Sequence, residues 1–299
     1  MRPPVLRRRS LQVPAHHAAF TRLVRMATTV DGQAPFNDQA LVDAENGTRR
    51  LVFILEPQES PSAAEHLVGA AIVNDDELEL VIDPEWRGSG FGREAAAEFV
   101  ASASPGLKAW SHGNHPAAAA LARRFNFSPV RTLLQLRMPV AAAATAAPVF
   151  DTFRPGIDDE EWVSLNARVF ASHPEQGSIT VDDLRHRQAD EWFDAGDFLV
   201  ARDDDGRMIG YNWLKIEGEL GEVYVVGVDA PGRGLGRSLM QAGLERMRDR
   251  GCTTAALYVE ADNVPAVKLY RSLGFTDHTI DVQYELAHPH QNDSSQQPS

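Results

Sequence analysis

Hydrophobic positions along the chain fall into runs with two different periods. Val223, Val225, Val226 and Val228 lie in a β-branched stretch that predicts a strand over 221–228. From Leu235 onward the rhythm becomes helical, with Leu239, Met240, Ala242, Gly243, Leu244 and Met247 on one face. Further strands are predicted at Tyr211 to Ile216, at Ala255 to Val259 and near Val282 to Leu286, and Asp203-Asp-Asp-Gly206 reads as a solvated hairpin turn. The first half repeats this order. There Glu79-Leu-Val-Ile-Asp-Pro-Glu-Trp-Arg-Gly-Ser-Gly-Phe-Gly92-Arg93 takes a strand through an Arg/Gly turn into a helix, and Thr132 to Met138 predicts a closing strand. A low-complexity Ala/Pro stretch divides the halves, which read as tandem copies of one α/β fold.

The turn at Pro231-Gly-Arg-Gly-Leu-Gly236 sits where a strand hands over to a helix. Gly232, Gly234 and Gly236 carry no side chain to keep a ligand from the backbone, and the helix's first N–H groups can hold a pyrophosphate. Arg233 and Arg237 add positive charge beside it. An ordinary glycine-rich turn fits these residues too. The spacing is neither the GxGxxG of dinucleotide folds nor the GxxxxGK[ST] of P-loops. Gly227, inside a run of valines, predicts a β-bulge that would aim backbone N–H groups around Val226 to Val228 at a ligand.

Composition narrows the classes. The chain has 299 residues, 43% of them hydrophobic, enough for two ordinary domains. A net charge of -13 argues against nucleic acid as a partner, and no apolar run approaches the ~18 residues of a membrane span. One cysteine, Cys252, precludes an internal disulfide, suits a reducing cytoplasm and reads as structural. Residues 1–18 are expected to be a flexible basic leader, and 288–299 a disordered polar tail. No His, Cys and Asp cluster has metal-ligand spacing, so no metal is expected, and Trp162, Trp192 and Trp213 read as core.

Three features together, the Val-Asp-x-x-x-Arg-Gly-Leu-Gly turn, Asn263 opening a helix, and Tyr270-x-x-x-Gly274-Phe275, resemble the GNAT acetyltransferase superfamily. The resemblance implies two tandem GNAT domains, over 19–139 and 150–287 with a linker at 140–149, each a mixed sheet flanked by helices. It also implies acetyl-CoA as cosubstrate. In the second domain the cofactor residues would be Val226, Gly227, Val228, Arg233, Gly234, Leu235, Gly236 and Arg237, followed by Asn263, Val264, Pro265, Ala266, Val267 and Lys268. In the first they would be Leu80, Val81, Ile82, Gly88, Ser89, Gly90, Phe91, Gly92 and Arg93. When Phe127 is laid on Phe275, Ala122 falls at Tyr270 and Asn126 at Gly274, so the first domain either binds acetyl-CoA without turnover or is a decayed copy whose turn is only a turn.

Within the superfamily the chain resembles the mycothiol synthase family. The residues are Gly221-Glu-Val-Tyr-Val-Val-Gly-Val-Asp229, His173-Pro-Glu-Gln-Gly177, Leu257-Tyr-Val-Glu-x-Asp-Asn263 and Val30-Asp-Gly-x-Ala-Pro35. The turn after Asp229 is shorter than the family's. That resemblance implies acetyl transfer to the cysteinyl amine of a cysteine–glucosamine–inositol conjugate; a cytoplasmic monomer is expected. Glu222 would be the base that takes the ammonium proton, directly or through water, and Tyr270 the acid that protonates the CoA thiolate. Substrate would meet Asp38, Glu175, Lys215, Glu222 and Tyr258. A tandem GNAT enzyme for another small amine and a non-catalytic acetyl-CoA sensor remain as alternatives.

Overall fold

The computed structural model describes residues 2–58, 60, 65–104, 106–142, 148–171, 176–230 and 232–287. The first half runs β1 (Val5–Arg9), α1 (Pro14–Asp31), α2 (Asp38–Asn46), β2 (Arg50–Leu55), β3 (Leu67–Val73), β4 (Glu77–Ile82), α3 (Phe91–Ala101), β5 (Lys108–Ser111), α4 (Pro116–Arg124) and β6 (Phe127–Pro139). The second runs β7 (Asp151–Thr152), α5 (Asp159–Val169), α6 (Val181–Gln188), β8 (Phe198–Arg202), β9 (Met208–Glu217), β10 (Leu220–Val228), α7 (Leu235–Asp249), β11 (Thr254–Glu260), α8 (Val264–Ser272) and β12 (Thr276–Leu286).

Two compact units form, residues 1–133 with 279–299, and 134–278. Their boundaries differ from the sequence halves because the closing strands are exchanged. In the first unit the strand order is β1-β2-β3-β4-β5-β12, antiparallel except for the parallel pair β4–β5. In the second unit residues 134–139 of β6 stand beside β11, and the order β6-β11-β10-β9-β8-β7 repeats the first, with β10–β11 parallel. The leader expected over 1–18 is instead β1 and the start of α1. Val5 and Leu6 pack into two different clusters of the first unit, so the strand is anchored on both faces despite its arginines. Most of the expected linker, 143–147, and the tail from 288 lie outside the described residues.

In the second unit the apolar faces of α7 and α8 and one face of the sheet enclose a cluster of Leu214, Val223, Met240, Leu244, Leu257 and Tyr270. The other sheet face carries an aromatic cluster with α5, in which Trp162, Tyr211 and Trp213 are fully buried. Strand β10 serves both. Its register against β9 shifts between Val223 and Val225, so the bulge falls at Tyr224 and not at Gly227. Tyr224 and Val225 both pack on the aromatic side, whereas Val223 and Val226 pack on the α7 side. Gly227 has a different reason: it pairs with Tyr211, and a Cβ there would stand 2.9 Å from the Tyr211 ring. The Tyr211 hydroxyl donates to Asn166 at 2.7 Å, which holds the ring in place.

A polar network is buried in the first unit. His112 lies between Glu79, at 3.0 Å from Nε2, and Asp281, at 3.2 Å from Nδ1. Asn37 donates to Glu79 through both its backbone and its side chain, and Gln33 and the Gly113 N–H donate to Asp281. Burial disfavours the charged ring, but the hydrogen bonds and charges of Asp281 and Glu79 outweigh it and raise the His112 pKa to about 9.

Two predictions follow from this packing. Gly227→Ala should lower stability by about 1–3 kcal/mol in urea unfolding, because the methyl displaces a hydrogen-bonded ring; an unchanged midpoint would refute the close-approach account. A raised histidine pKa contributes stability that is complete below the unfolded value near 6.5 and is lost as pH rises through about 9. Wild type should therefore lose on the order of 3 kcal/mol more than His112→Gln between pH 6 and 10; parallel pH profiles would contradict the charged state.

Candidate active site

The parallel pairing of β10 with β11 runs from Leu220↔Thr254 to Val223↔Leu257 and ends at the bulge. Beyond it, Val226, Gly227 and Val228 keep β9 on one side but, among the described residues, have no partner strand on the other. Their backbone groups on that edge are open to a ligand. The first unit repeats the parting: β4 pairs with β5 only at Glu77↔Lys108 and Leu78↔Ala109, which leaves Leu80, Val81 and Ile82 unpaired on that side.

Each parted strand leads into its glycine turn. Gly232 and Gly234 have φ of 96° and 81°, Gly88 and Gly90 of 75° and 83°, left-handed values that a side chain disfavours. Gly234 and Gly90 are the N-caps of α7 and α3, and no side chain caps either helix. The first-turn N–H groups after Leu235-Gly236 and Phe91-Gly92 therefore suit an anion. A Cβ on Gly232 or Gly234 would meet nothing within 4 Å, so the space over the second turn is open. Arg237 donates to Ser272 on α8, and Arg93 pairs with Glu94. No partner is found for Arg233 or Ser89 among the described residues, while Pro231 is outside them. Asn263 caps α8, its side chain accepting from the Ala266 N–H at 3.3 Å, and Val264, Pro265, Ala266, Val267 and Lys268 form that helix's first turns.

Glu222 and Tyr270 stand on opposite faces of the second unit's sheet. Val223 packs toward α7, so Glu222, one residue earlier, faces the other way; it lies opposite Lys215 on β9 and beside Ala256 on β11. Lys215 lies between Leu214 and Ile216, and Tyr258 between Leu257 and Val259, all four on the α7 side, so both share the Glu222 face. There the Lys215 ammonium is 3.1 Å from Glu217 and lies over the Trp192 ring at 5.6 Å. Trp192, expected as core, is half-buried against Trp213 and Tyr224. Tyr270 is 7% exposed on α8, within the α7 cluster, and burial raises its phenol pKa to about 12. The phenol thus keeps its proton at neutral pH.

Not every expected site residue gathers here. Asp38 is the exposed first residue of α2 in the first unit, and Glu175 lies outside the described residues. Two participants were not foreseen. Gln135 on β6 is buried and donates its amide to the Tyr258 hydroxyl, and Arg187 on α6 donates to the Tyr224 hydroxyl at 3.1 Å. A glutamine between Leu134 and Leu136 in a buried strand was the available signal for the first. Cys252 is buried, and burial and Asp197 raise its thiol pKa, as expected of a structural thiol. Among the described residues no group of three or more His, Cys, Asp or Glu is arranged to hold a metal, and no helix is long and apolar enough to cross a membrane.

Known proteins resemble the chain in sequence and in fold. Residues 162–275 match the model of the Acetyltransferase (GNAT) family. A GCN5-related N-acetyltransferase from Sphaerobacter thermophilus superposes with a TM-score of 0.69 at 20% identity, covering 96% of this chain and 97% of its own. A tandem GNAT protein from the clavulanic acid biosynthesis pathway gives a TM-score of 0.68 at 14% identity, covering 96% and 100%. Both show the fold. Mycothiol acetyltransferase of Arthrobacter sp. (strain FB24) is 40% identical over 89% of this chain and 90% of its own. That of Clavibacter sepedonicus is 44% identical over the same shares, and that of Thermobispora bispora 39% identical over 91% and 97%. With a carboxylate and a phenol on either side of a parted strand pair, and such identity over nearly its whole length, the chain belongs to the mycothiol acetyltransferase family, acetyl-CoA-dependent N-acetyltransferases of the GNAT fold.

Proposed function

We propose that the chain transfers acetyl from acetyl-CoA to the cysteinyl amine of a cysteine–glucosamine–inositol conjugate, forming mycothiol, with the chemistry in the second unit. The observation that carries the mechanism is the placement of Glu222 and Tyr270 across the parted β10 and β11. Acetyl-CoA supplies an activated acyl group. Its pyrophosphate would rest on the uncapped N-terminus of α7 at Arg233–Arg237, and its arm would run along Val226–Val228 and the Asn263–Lys268 turns of α8.

An amine arriving on the Glu222 face is an ammonium ion at neutral pH and must lose a proton to attack; Glu222 takes it, directly or through water. Backbone N–H groups on the unpaired edge of β10 stabilise the oxyanion that forms. Tyr270, protonated and buried on the other face, gives its proton to the departing thiolate. Lys215, Tyr258 and Glu175 would bind the hydroxyl-rich sugar and inositol. The first unit holds a second acetyl-CoA at Gly88–Arg93 without turning it over, since Ala122 provides no acid. The enzyme acts as a monomer in the cytoplasm.

Tyr270→Phe should reduce kcat by roughly 10²- to 10⁴-fold with little change in the KM for acetyl-CoA, and Glu222→Gln should abolish the acidic limb of the pH–rate profile. An unchanged kcat in either variant would remove that residue from the mechanism.

A further inference from the structure

The first unit contains a cavity of about 490 Å³ that starts at the glycine turn, lined there by Gly88 and Gly90, and continues between α3 and α4. Large side chains such as Phe91, Leu121, Phe125 and Phe127 line it, but four small ones stand among them. Ala96 and Val100 on α3, Ala109 on β5 and Ala122 on α4 all line it.

The second unit shows what normally fills this space. Counted from the turn glycines, Ala96 and Val100 correspond to Met240 and Leu244. Ala109, opposite Leu78, corresponds to Leu257, opposite Val223, and Ala122 corresponds to Tyr270. Met240, Leu244, Leu257 and Tyr270 are buried together in one continuous cluster. At all four positions the first unit has the smaller residue; Leu78 for Val223 restores only a little of the lost volume. The alignment of α4 is fixed independently by the backbone: Asn126 has a φ of 60° where Gly274 has 104°.

We propose that the first unit is a binding site for a CoA thioester with a medium-length apolar acyl chain, its pyrophosphate on the Gly88–Gly90 turn and its chain in the chamber bounded by Ala96, Val100, Ala109 and Ala122. This rests on the reading that the first turn holds CoA. One end of the cavity suits an anion and its part between α3 and α4 is lined by Ala96, Val100, Ala109 and Ala122, the division of character found in an acyl-CoA. The chamber that removes the catalytic phenol is the one that admits the chain, so ligand class and loss of turnover share a cause.

The test is calorimetric titration of the full chain carrying Gly236→Trp, which closes the second turn, with acetyl-CoA, octanoyl-CoA and free octanoate. Wild type, titrated alongside for two classes of site, covers the case in which that variant does not fold. At about fourfold per methylene buried, octanoyl-CoA should bind the first unit at least ~10-fold more tightly than acetyl-CoA. Ala122→Tyr and, independently, Ala96→Met should each remove most of that preference while changing acetyl-CoA affinity by less than about threefold. Acetyl-CoA binding with no gain for octanoyl-CoA would overturn the acyl-chain proposal and leave the CoA reading standing. No binding of either thioester would overturn both. Octanoate binding as tightly as octanoyl-CoA would also overturn it, since the turn would then contribute nothing.

Discussion

Strand β10 parts from β11 beyond Val223, next to its bulge against β9 at Tyr224, and the chemistry proposed for the second unit rests on that parting. One extra residue rotates the strand so that Tyr224 and Val225 complete the aromatic cluster while Val226 returns to the α7 side. Pairing to β11 stops at Val223, and an edge of backbone opens in the middle of the sheet. Buried backbone groups without partners are costly, so such an edge is tolerated where a ligand can satisfy it. The gap also joins two faces, with a carboxylate on one and a protonated phenol on the other. The same strand leads through the glycine turn to an uncapped helix N-terminus, so the proposed anion and reaction sites follow one another along the chain.

The two units show how one fold carries different properties. Both have the parted parallel pair and the two left-handed glycines before an uncapped helix. They differ in what surrounds the strand. The second fills the space between its two helices with Met240, Leu244 and Tyr270, whereas the first leaves it open behind alanines. The first unit instead concentrates charge, with His112 fixed by Glu79 and Asp281 and both ring nitrogens occupied. A histidine with both nitrogens engaged is a clamp for the surrounding loops and is poorly placed to act as a base.

Much of this was legible in the sequence. Strands and helices followed their periods, the turn glycines marked where strand passes into helix, and Asn126 could be matched to Gly274 before either φ was known. The exchange of closing strands was not legible, because Thr132 to Met138 and Val282 to Leu286 are similar alternating runs and local pattern does not say which sheet edge a strand joins. The bulge was misplaced for a related reason. Gly227 is the residue that looks anomalous among valines, yet its cause is the Tyr211 ring from a neighbouring strand, while the bulged Tyr224 is an ordinary strand residue. The arginines of β1 hid a strand anchored by only Val5 and Leu6, and Gln135 acquires meaning only when β6 stands beside β11.

The central claim is acetyl transfer to one particular amine by the second unit. Its most direct test is mass spectrometry of the products formed when the purified protein and acetyl-CoA are offered the cysteine–glucosamine–inositol conjugate beside a panel of simpler amines. The account predicts one acetyl group on the cysteinyl nitrogen, formed far faster than any product of the panel. Preferred acetylation of another amine, or no acetylated product from the conjugate, would contradict it.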